Sequence, residues 1–86
     1  MIIVTSNKFN KQFEKQPKKI RDQFKLRMEI FTKDINDRTL NIHKLSGKYD
    51  NLWSLNVSGD IRVIFDRNHK DIIVLVAIGS HSELYE

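Results

Sequence analysis

Four polar side chains in the last third of the chain carry the groups needed to move protons and to bind a phosphate. His81 suits an acid or a base, because histidine is the side chain that changes its charge near neutrality. Arg62 suits a phosphate, since its planar fork can bind two oxygens together. Asp60 could fix the tautomer of His81, and Tyr85 could stack on a base or hold a phosphate. These groups could cleave RNA: a base activates the 2′-OH, a cation stabilises the phosphoryl oxygens, and an acid protonates the leaving 5′-oxygen.

Each of these residues also has a purely structural interpretation. A single histidine near the end of a chain is often only exposed, and an arginine on the outer face of a strand is often only solvated. Asp60 fits equally well as a turn residue, and Tyr85 could tether the tail to the core. No pair of histidines has the spacing of a metal site, so we expect no metal. We also expect no cofactor, since proton transfer and electrostatics suffice for this chemistry.

Pairing of two strands about Gly59 predicts which residues share a face of the sheet. In this hairpin Val57 opposes Ile61, and Asn56 opposes Arg62. Arg62 and Asn56 then lie on the face away from Val57, because successive side chains of a strand alternate between faces.

Pairing of the next two strands about His69 predicts that the reactive groups meet. In this register Arg62 opposes Val76, and Asp60 lies close to the tail that carries His81. The pairing therefore brings Asp60, Arg62 and His81 to one end of the sheet. A slip of one residue would reverse the face of Arg62.

Apolar periodicity and turn residues predict the strands and helices that position these groups. A short strand covers 2–5, and Ser6 is a plausible N-cap for a helix that ends at Gln16. Pro17 then begins a second helix. Its main apolar stripe has the 3.6-residue period, and a shoulder of the same helix should meet the first helix. The stripe consists of Ile20, Phe24, Met28, Phe31 and Ile35, and the shoulder consists of Leu26 and Ile30.

Three strands follow the helical hairpin. They are predicted at 53–57, 61–65 and 72–78, with turns at 58–60 and 67–71. The last strand is the most apolar run of the chain and should lie inside the sheet. The order β-α-α-β-β-β predicts an α+β fold: an antiparallel sheet with an N-terminal helical hairpin on one face.

The composition predicts one small cytoplasmic domain. Eighty-six residues suffice for a single domain, 1–86. The absence of cysteine excludes a disulfide, a thiolate zinc site and a cysteine nucleophile. No apolar run is long enough to span a bilayer, and no basic region precedes the apolar residues at the start, which argues against a signal peptide.

Positive charge is concentrated in the first third of the chain. Residues 1–33 contain nine Lys/Arg and three Asp/Glu, whereas the remainder contains six and eight, for a net charge of +4. A basic surface attracts polyphosphates by counterion release without reading sequence. A lysine-rich helical surface that only keeps the domain soluble is the alternative. Binding to nucleic acid or to the ribosome is thus one of two open interpretations.

Three segments resemble the RelE/ParE superfamily of type II toxin–antitoxin toxins: His43–Gly47, Trp53–Phe65 and Ile78–Tyr85. They look most like the YafQ and RelE/StbE-type toxins, which share an HxLxG segment and a GTHxxLY/F ending. The resemblance covers nearly the whole chain. It implies a RelE-like, microbial-RNase-like fold and an endoribonuclease that cleaves mRNA, usually in the ribosomal A site. It also implies a neighbouring antitoxin protein that wraps the toxin.

The same resemblance implies a role for each of five residues. His81 matches the tail histidine that acts as acid or base, and Arg62 matches the strand arginine that binds the scissile phosphate. Asp60 matches the aspartate of YafQ-like members, Tyr85 the aromatic residue of the ending, and His43 the histidine before the glycine. Tyr85 and His43 would position the substrate. From the sequence alone, His43 could equally cap or pack its own segment.

Two departures from the YafQ-like pattern leave other functions open. Asn56 stands where those toxins have a second histidine, and Ile61 stands where they have a tryptophan. One alternative is a non-nucleolytic inhibitor of DNA gyrase like the ParE branch, although the tail histidine argues against it. Another is a degenerate member that binds an antitoxin without activity. The first hypothesis is a metal-independent, ribosome-associated mRNA endonuclease.

Overall fold

A five-stranded sheet forms the centre of this computed structural model, which describes residues 1–85. The strands lie in the order β1-β5-β4-β3-β2. Their bounds are Ile2–Thr5 (β1), His43–Lys44 (β2), Trp53–Ser58 (β3), Ile61–His69 (β4) and Ile72–Ser80 (β5). The apolar strand β5 lies inside the sheet, between β1 and β4, as its composition predicts. The α+β class and the antiparallel β3-β4-β5 meander are confirmed.

The prediction of a wholly antiparallel sheet is wrong for one pair of strands. β1 runs parallel to β5, with Ile2 beside Ile72 and Thr5 beside Leu75. Short turns fix the directions of β3, β4 and β5, whereas two helices and most of the chain separate β1 from β5. No local signal therefore sets the direction of β1. The two-residue edge strand β2, which pairs with β3, was also not predicted.

Three helices complete the fold: α1 (Asn7–Glu14), α2 (Lys18–Lys33) and the short α3 (His81–Tyr85). Ser6 caps α1 as predicted, since its side-chain oxygen accepts a hydrogen bond from the Phe9 amide at 3.0 Å. Pro17 immediately precedes α2. Leu26 departs from the predicted shoulder because it is 53% exposed. None of the helices within residues 1–85 has the length and apolarity needed to cross a membrane.

Apolar clusters cover both faces of the sheet. On the first face α1 and α2 pack over a core whose buried members include Phe9, Phe31 and Phe65. On the second face lies a smaller core, which the α3 residue Leu84 closes. Its buried members are Tyr49, Ile64, Ala77 and Leu84, and Leu45, Leu52, Val76 and Tyr85 pack against them. This second core gives the short helix α3 a fixed place on the sheet.

The antiparallel ladders shift register at three points, and two of these shifts, β-bulges in β3 and in β5, lie nearest the end of the sheet that carries Arg62. In β3, Val57 is the extra residue, since Asn56 pairs with Arg62 while Ser58 pairs with Ile61. The prediction for Asn56 is thus confirmed, and the predicted Val57–Ile61 pair is wrong. The carbonyl of Val57 accepts a hydrogen bond from Arg27 Nε of α2 at 3.0 Å. The helical layer therefore satisfies a carbonyl that the bulge takes out of the ladder.

The second bulge lies at Val76 of β5. Ile64 pairs with Ala77, but the next β4 residue pairs with Leu75, so Val76 is left over. Its carbonyl accepts a hydrogen bond from the hydroxyl of Ser6 at 2.8 Å. The extra residue reverses the alternation of β5: Leu75 belongs to the core on the helical face, whereas Ala77 belongs to the core on the second face.

The predicted register of β4 against β5 is wrong. Arg62 pairs with Gly79, not with Val76, and β4 continues to His69 before the turn at Lys70 and Asp71. The turn is thus shorter than predicted and accounts for the three-residue offset, because an extra residue of β4 between Asp66 and His69 and the extra residue Val76 of β5 cancel. Because Arg62 and Gly79 are paired, both lie on the second face of the sheet.

Candidate active site

The tail that follows β5 is a single turn of helix rather than a loop. Ser80 and Glu83 form a capping box at its start: Glu83 Oε1 accepts from the Ser80 amide at 2.8 Å, and Ser80 Oγ accepts from the Glu83 amide at 3.2 Å. The hydrogen bond from the Ser80 backbone, with help from its side chain, lowers the pKa of the Glu83 carboxyl. The S-x-x-E spacing is a sequence signal that would have predicted α3.

Asp60 and His81 are neighbours, but through the backbone. Asp60 Oδ2 accepts a hydrogen bond from the His81 amide at 3.3 Å, and both residues are exposed. The carboxylate therefore fixes the start of α3. The predicted contact with the imidazole ring, which would set its tautomer, is not among the hydrogen bonds of residues 1–85. The ring of His81 faces Tyr85 instead.

Tyr85 lies between His81 and the buried Tyr49. The ring centroids of His81 and Tyr85 are 4.7 Å apart, and those of Tyr49 and Tyr85 are 5.4 Å apart in an edge-to-face arrangement. Burial raises the pKa of the Tyr85 hydroxyl, the positive charge of Arg62 opposes that rise, and Tyr49 adds to it. The hydroxyl is therefore protonated at neutral pH and can donate a hydrogen bond.

Arg62 stands beside this aromatic group and forms no ion pair with another residue of 1–85. It is half-buried, and its Nε atom is inaccessible to solvent without a hydrogen-bond partner in residues 1–85. The ion pairs of the described residues join other groups. A buried donor without a partner is costly in water-excluded surroundings, and the terminal nitrogens of the guanidinium, which are not among these buried atoms, are the donors left for an incoming phosphate.

His43 lies apart from the other predicted residues. It is exposed on the edge strand β2, where its ring contacts the Asn41 side chain at 3.0 Å. It shares the second face of the sheet, because it pairs with Ser54 and Ser54 pairs with Ile64. Three strand spacings, about 14 Å, nevertheless separate β2 from β5. The structure therefore brings Asp60, Arg62, His81 and Tyr85 together and leaves His43 at a distance.

Comparison with known proteins places this chain in a family. A family model described as "Bacterial toxin of type II toxin-antitoxin system, YafQ" matches residues 1–86. The chain belongs to the YafQ toxin family. It is the toxin of a type II toxin–antitoxin system. None of the curated proteins matches it in sequence.

Solved structures share the fold of the toxin. YafQ of Escherichia coli is similar with a TM-score of 0.82 and 16% identity, over 98% of this chain and 97% of that chain. The DinJ–YafQ toxin–antitoxin complex of E. coli is similar with a TM-score of 0.79 and 17% identity, over 98% of this chain and 96% of that chain. The RelB–RelE antitoxin–toxin complex of Methanococcus jannaschii is similar with a TM-score of 0.77 and 25% identity, over 96% of this chain and 95% of that chain.

Tyr49 is the residue of the toxin's site that sequence reasoning missed. Its hydroxyl donates to the Leu84 carbonyl at 2.7 Å, and its ring supports Tyr85. It follows Gly47, whose positive φ of 62° opens the 3-10 turn Gly47–Tyr49. No periodic pattern or motif of the sequence distinguishes this tyrosine from a core residue.

The asparagine that replaces the expected second histidine has a structural role in the toxin. Asn56 Nδ2 donates to the Gly59 carbonyl at 3.0 Å, across the hairpin that carries Asp60. Its amide therefore stabilises the turn beside the site. Within residues 1–85 no group of three or more potential ligands is arranged to hold a metal ion.

Proposed function

We propose that the toxin is an endoribonuclease that cleaves mRNA in the ribosomal A site by attack of a 2′-OH on the adjacent phosphorus. The observation that carries this proposal is the grouping of Arg62, His81 and Tyr85 at one end of the second face. A cation without an ion pair among residues 1–85 and an exposed proton-transfer group, both held by the sheet, suit phosphodiester cleavage. A gyrase inhibitor has no comparable need for the histidine.

Each residue of the group has a role in the proposed reaction. Arg62 binds the scissile phosphate and stabilises the charge that develops on its oxygens. His81 acts as acid or base, since its ring is exposed at the start of α3. Tyr85 donates a hydrogen bond to the phosphate or stacks on a base. Asp60 positions His81 through the backbone of α3, and His43 contacts more distant nucleotides.

The basic helices supply a surface for RNA outside the cleavage site. Lysines of α1, its C-cap and the start of α2 are exposed on the first face: Lys8, Lys11, Lys15, Lys18 and Lys19. Lys15 also lines an open pocket of about 540 Å³ that Glu83 of α3 borders. Lys15 thus brings the basic surface of the helical layer next to α3. In this proposal it docks the toxin on ribosomal RNA, and a cognate antitoxin covers the site when the toxin is neutralised.

Substitution of the two charged groups tests the proposal. His81→Gln and Arg62→Ala should each reduce mRNA cleavage by about 100-fold or more, because a general acid–base group or a preorganised charge contributes on that scale. Expression of either variant should no longer arrest growth. Cleavage is measured by mapping the 5′ ends of transcripts after induction, and circular dichroism verifies the fold.

His69→Gln and Arg67→Ala are matched controls, since both residues are exposed at the far end of β4. These variants should keep wild-type cleavage. Full toxicity of His81→Gln and Arg62→Ala would contradict the assignment. Inhibition of gyrase supercoiling without RNA cleavage would favour the ParE-like function instead.

One observation favours a second candidate, an antitoxin-binding member without nuclease activity. Asn56 is engaged with the Gly59 carbonyl and cannot transfer a proton. The site then has a single histidine for two proton transfers. Normal growth after strong expression of the wild type without antitoxin would support this candidate.

A further inference from the structure

The last helix of the toxin is too short to be stable by its own hydrogen bonds. α3 contains five residues, whereas isolated helices shorter than about 12 residues are marginal in water. Its orientation must therefore come from contacts with the rest of the fold. The capping box and Asp60 hold its first turn. A different residue must hold its end, where Tyr85 is carried.

Tyr49 makes this contact. The carbonyls at the end of a helix have no partner within the helix, and the carbonyl of Leu84 is one of them. Tyr49 donates its hydroxyl to that carbonyl at 2.7 Å in a buried position. Leu84 itself is 1% exposed, so no solvent group replaces this bond easily.

The ring of Tyr49 also contacts Tyr85, the side chain that faces the proposed acid–base residue His81. Tyr49 and Tyr85 meet edge to face, with centroids 5.4 Å apart and planes at 85°. Tyr85 in turn lies 4.7 Å from His81. Tyr49 is only 6% exposed, so it would act on cleavage indirectly, through the residues that it contacts.

We propose that Tyr49 is a positioning residue that holds α3 and thereby fixes the Tyr85–His81 pair relative to Arg62. This inference rests on the proposed nuclease function for its catalytic consequence. It also assigns a structural role to the end of the His43–Gly47 segment. The left-handed Gly47 turns the chain so that Tyr49 enters the second core beneath α3.

Tyr49→Phe and Tyr49→Leu test the proposal by removing first the hydroxyl and then the aromatic contact. In Tyr49→Phe the amides of α3 should exchange with solvent about fivefold faster than in the wild type, the factor that one neutral hydrogen bond contributes to a local opening equilibrium. The β4 amides should be unchanged. The kcat of RNA cleavage should fall while KM stays the same, and Tyr49→Leu should show the larger loss.

Ser54→Ala is the control, because it deletes a buried hydroxyl on the second face at a strand position away from α3. It should leave α3 exchange and kcat unchanged. Unchanged exchange in Tyr49→Phe, or faster exchange with an unchanged kcat, would overturn the proposal, as would an equal effect of Ser54→Ala. If the wild type does not cleave RNA while α3 exchange rises in Tyr49→Phe, the nuclease proposal fails and the positioning of α3 stands.

Discussion

The hydrogen bond from Arg27 to the β3 bulge predicts a specific loss of stability in Arg27→Met. Methionine keeps the aliphatic stem of arginine, so the packing of α2 on the sheet is largely retained. The substitution removes the donor to the Val57 carbonyl, which lies 3.0 Å from Arg27 Nε. Val57 is 0% exposed, and its carbonyl lies at the irregular point of the ladder.

The magnitude follows from the kind of bond that is lost. A hydrogen bond from a charged donor contributes about 1.5–3 kcal/mol, and its removal leaves an acceptor without a partner. Arg27 is only half-buried, so the lower end of this range applies, about 1.5 kcal/mol. For a domain of this size, each kcal/mol lowers Tm by roughly 4–8 °C. The expected decrease for Arg27→Met is therefore about 6–12 °C.

Urea and thermal unfolding, followed by the fluorescence of the single tryptophan Trp53, measure this decrease. Arg21→Met is the matched control. Arg21 also lies half-buried on α2 and loses the same charge, but its Nε has no hydrogen-bond partner within residues 1–85. Arg21→Met should therefore be less destabilising by about 1 kcal/mol or more. Equal losses in the two variants would refute the reasoning, because packing or net charge would then account for both.

Three further predictions concern α3. Gly79→Ala places a Cβ 3.3 Å from Glu83 Cβ and 3.5 Å from Leu84 Cδ2, so it should displace α3 and reduce RNA cleavage more than it reduces Tm; wild-type cleavage would contradict this. Because burial raises the pKa of Tyr85 above its ordinary 10.0, its protonated form contributes stability that is present below that pH and is lost as pH rises through the folded pKa. Alkaline unfolding should thus begin earlier in the wild type than in Tyr85→Phe, and coincident curves would exclude this contribution. The lowered pKa of the Glu83 carboxyl gives the pH dependence of stability the opposite sign. The stabilisation by ionised Glu83 is present above pH 4.5 and is lost as pH falls through the folded pKa. Ser80→Ala should weaken this acid dependence in urea titrations.

The helical hairpin could be predicted from sequence because strong local signals mark its boundaries. Ser6 caps α1, and Pro17 separates the two helices. The pairing of Asn56 with Arg62 also followed, since the Gly59 turn fixes that hairpin close to the pair. These features depend on residues near one another in the chain, where a single conformational preference dominates.

The register of β5 could not be predicted for a physical reason. Its residues from Ile72 to Ile78 are all apolar, and apolar cores cover both faces of the sheet. Either face can therefore accept any of these side chains, and the sequence carries no alternation that would reveal the bulge at Val76. The carbonyl contacts that stabilise the bulge come from Ser6, far away in the chain. Tyr49 escaped prediction similarly, because its partner Leu84 is distant in sequence.

The bulge at Val76 makes the number of residues in β5 as important as their identity. Another apolar side chain could replace Val76, but deletion of one residue between Leu75 and Gly79 would turn Gly79 and everything after it toward the helices. A sequence alignment that places a gap in this strand would therefore match residues of the core with residues of the site. When this chain is aligned with a distant relative, the spacing from Leu75 to Gly79 must therefore be kept if Gly79 and the residues after it are to stay on the second face.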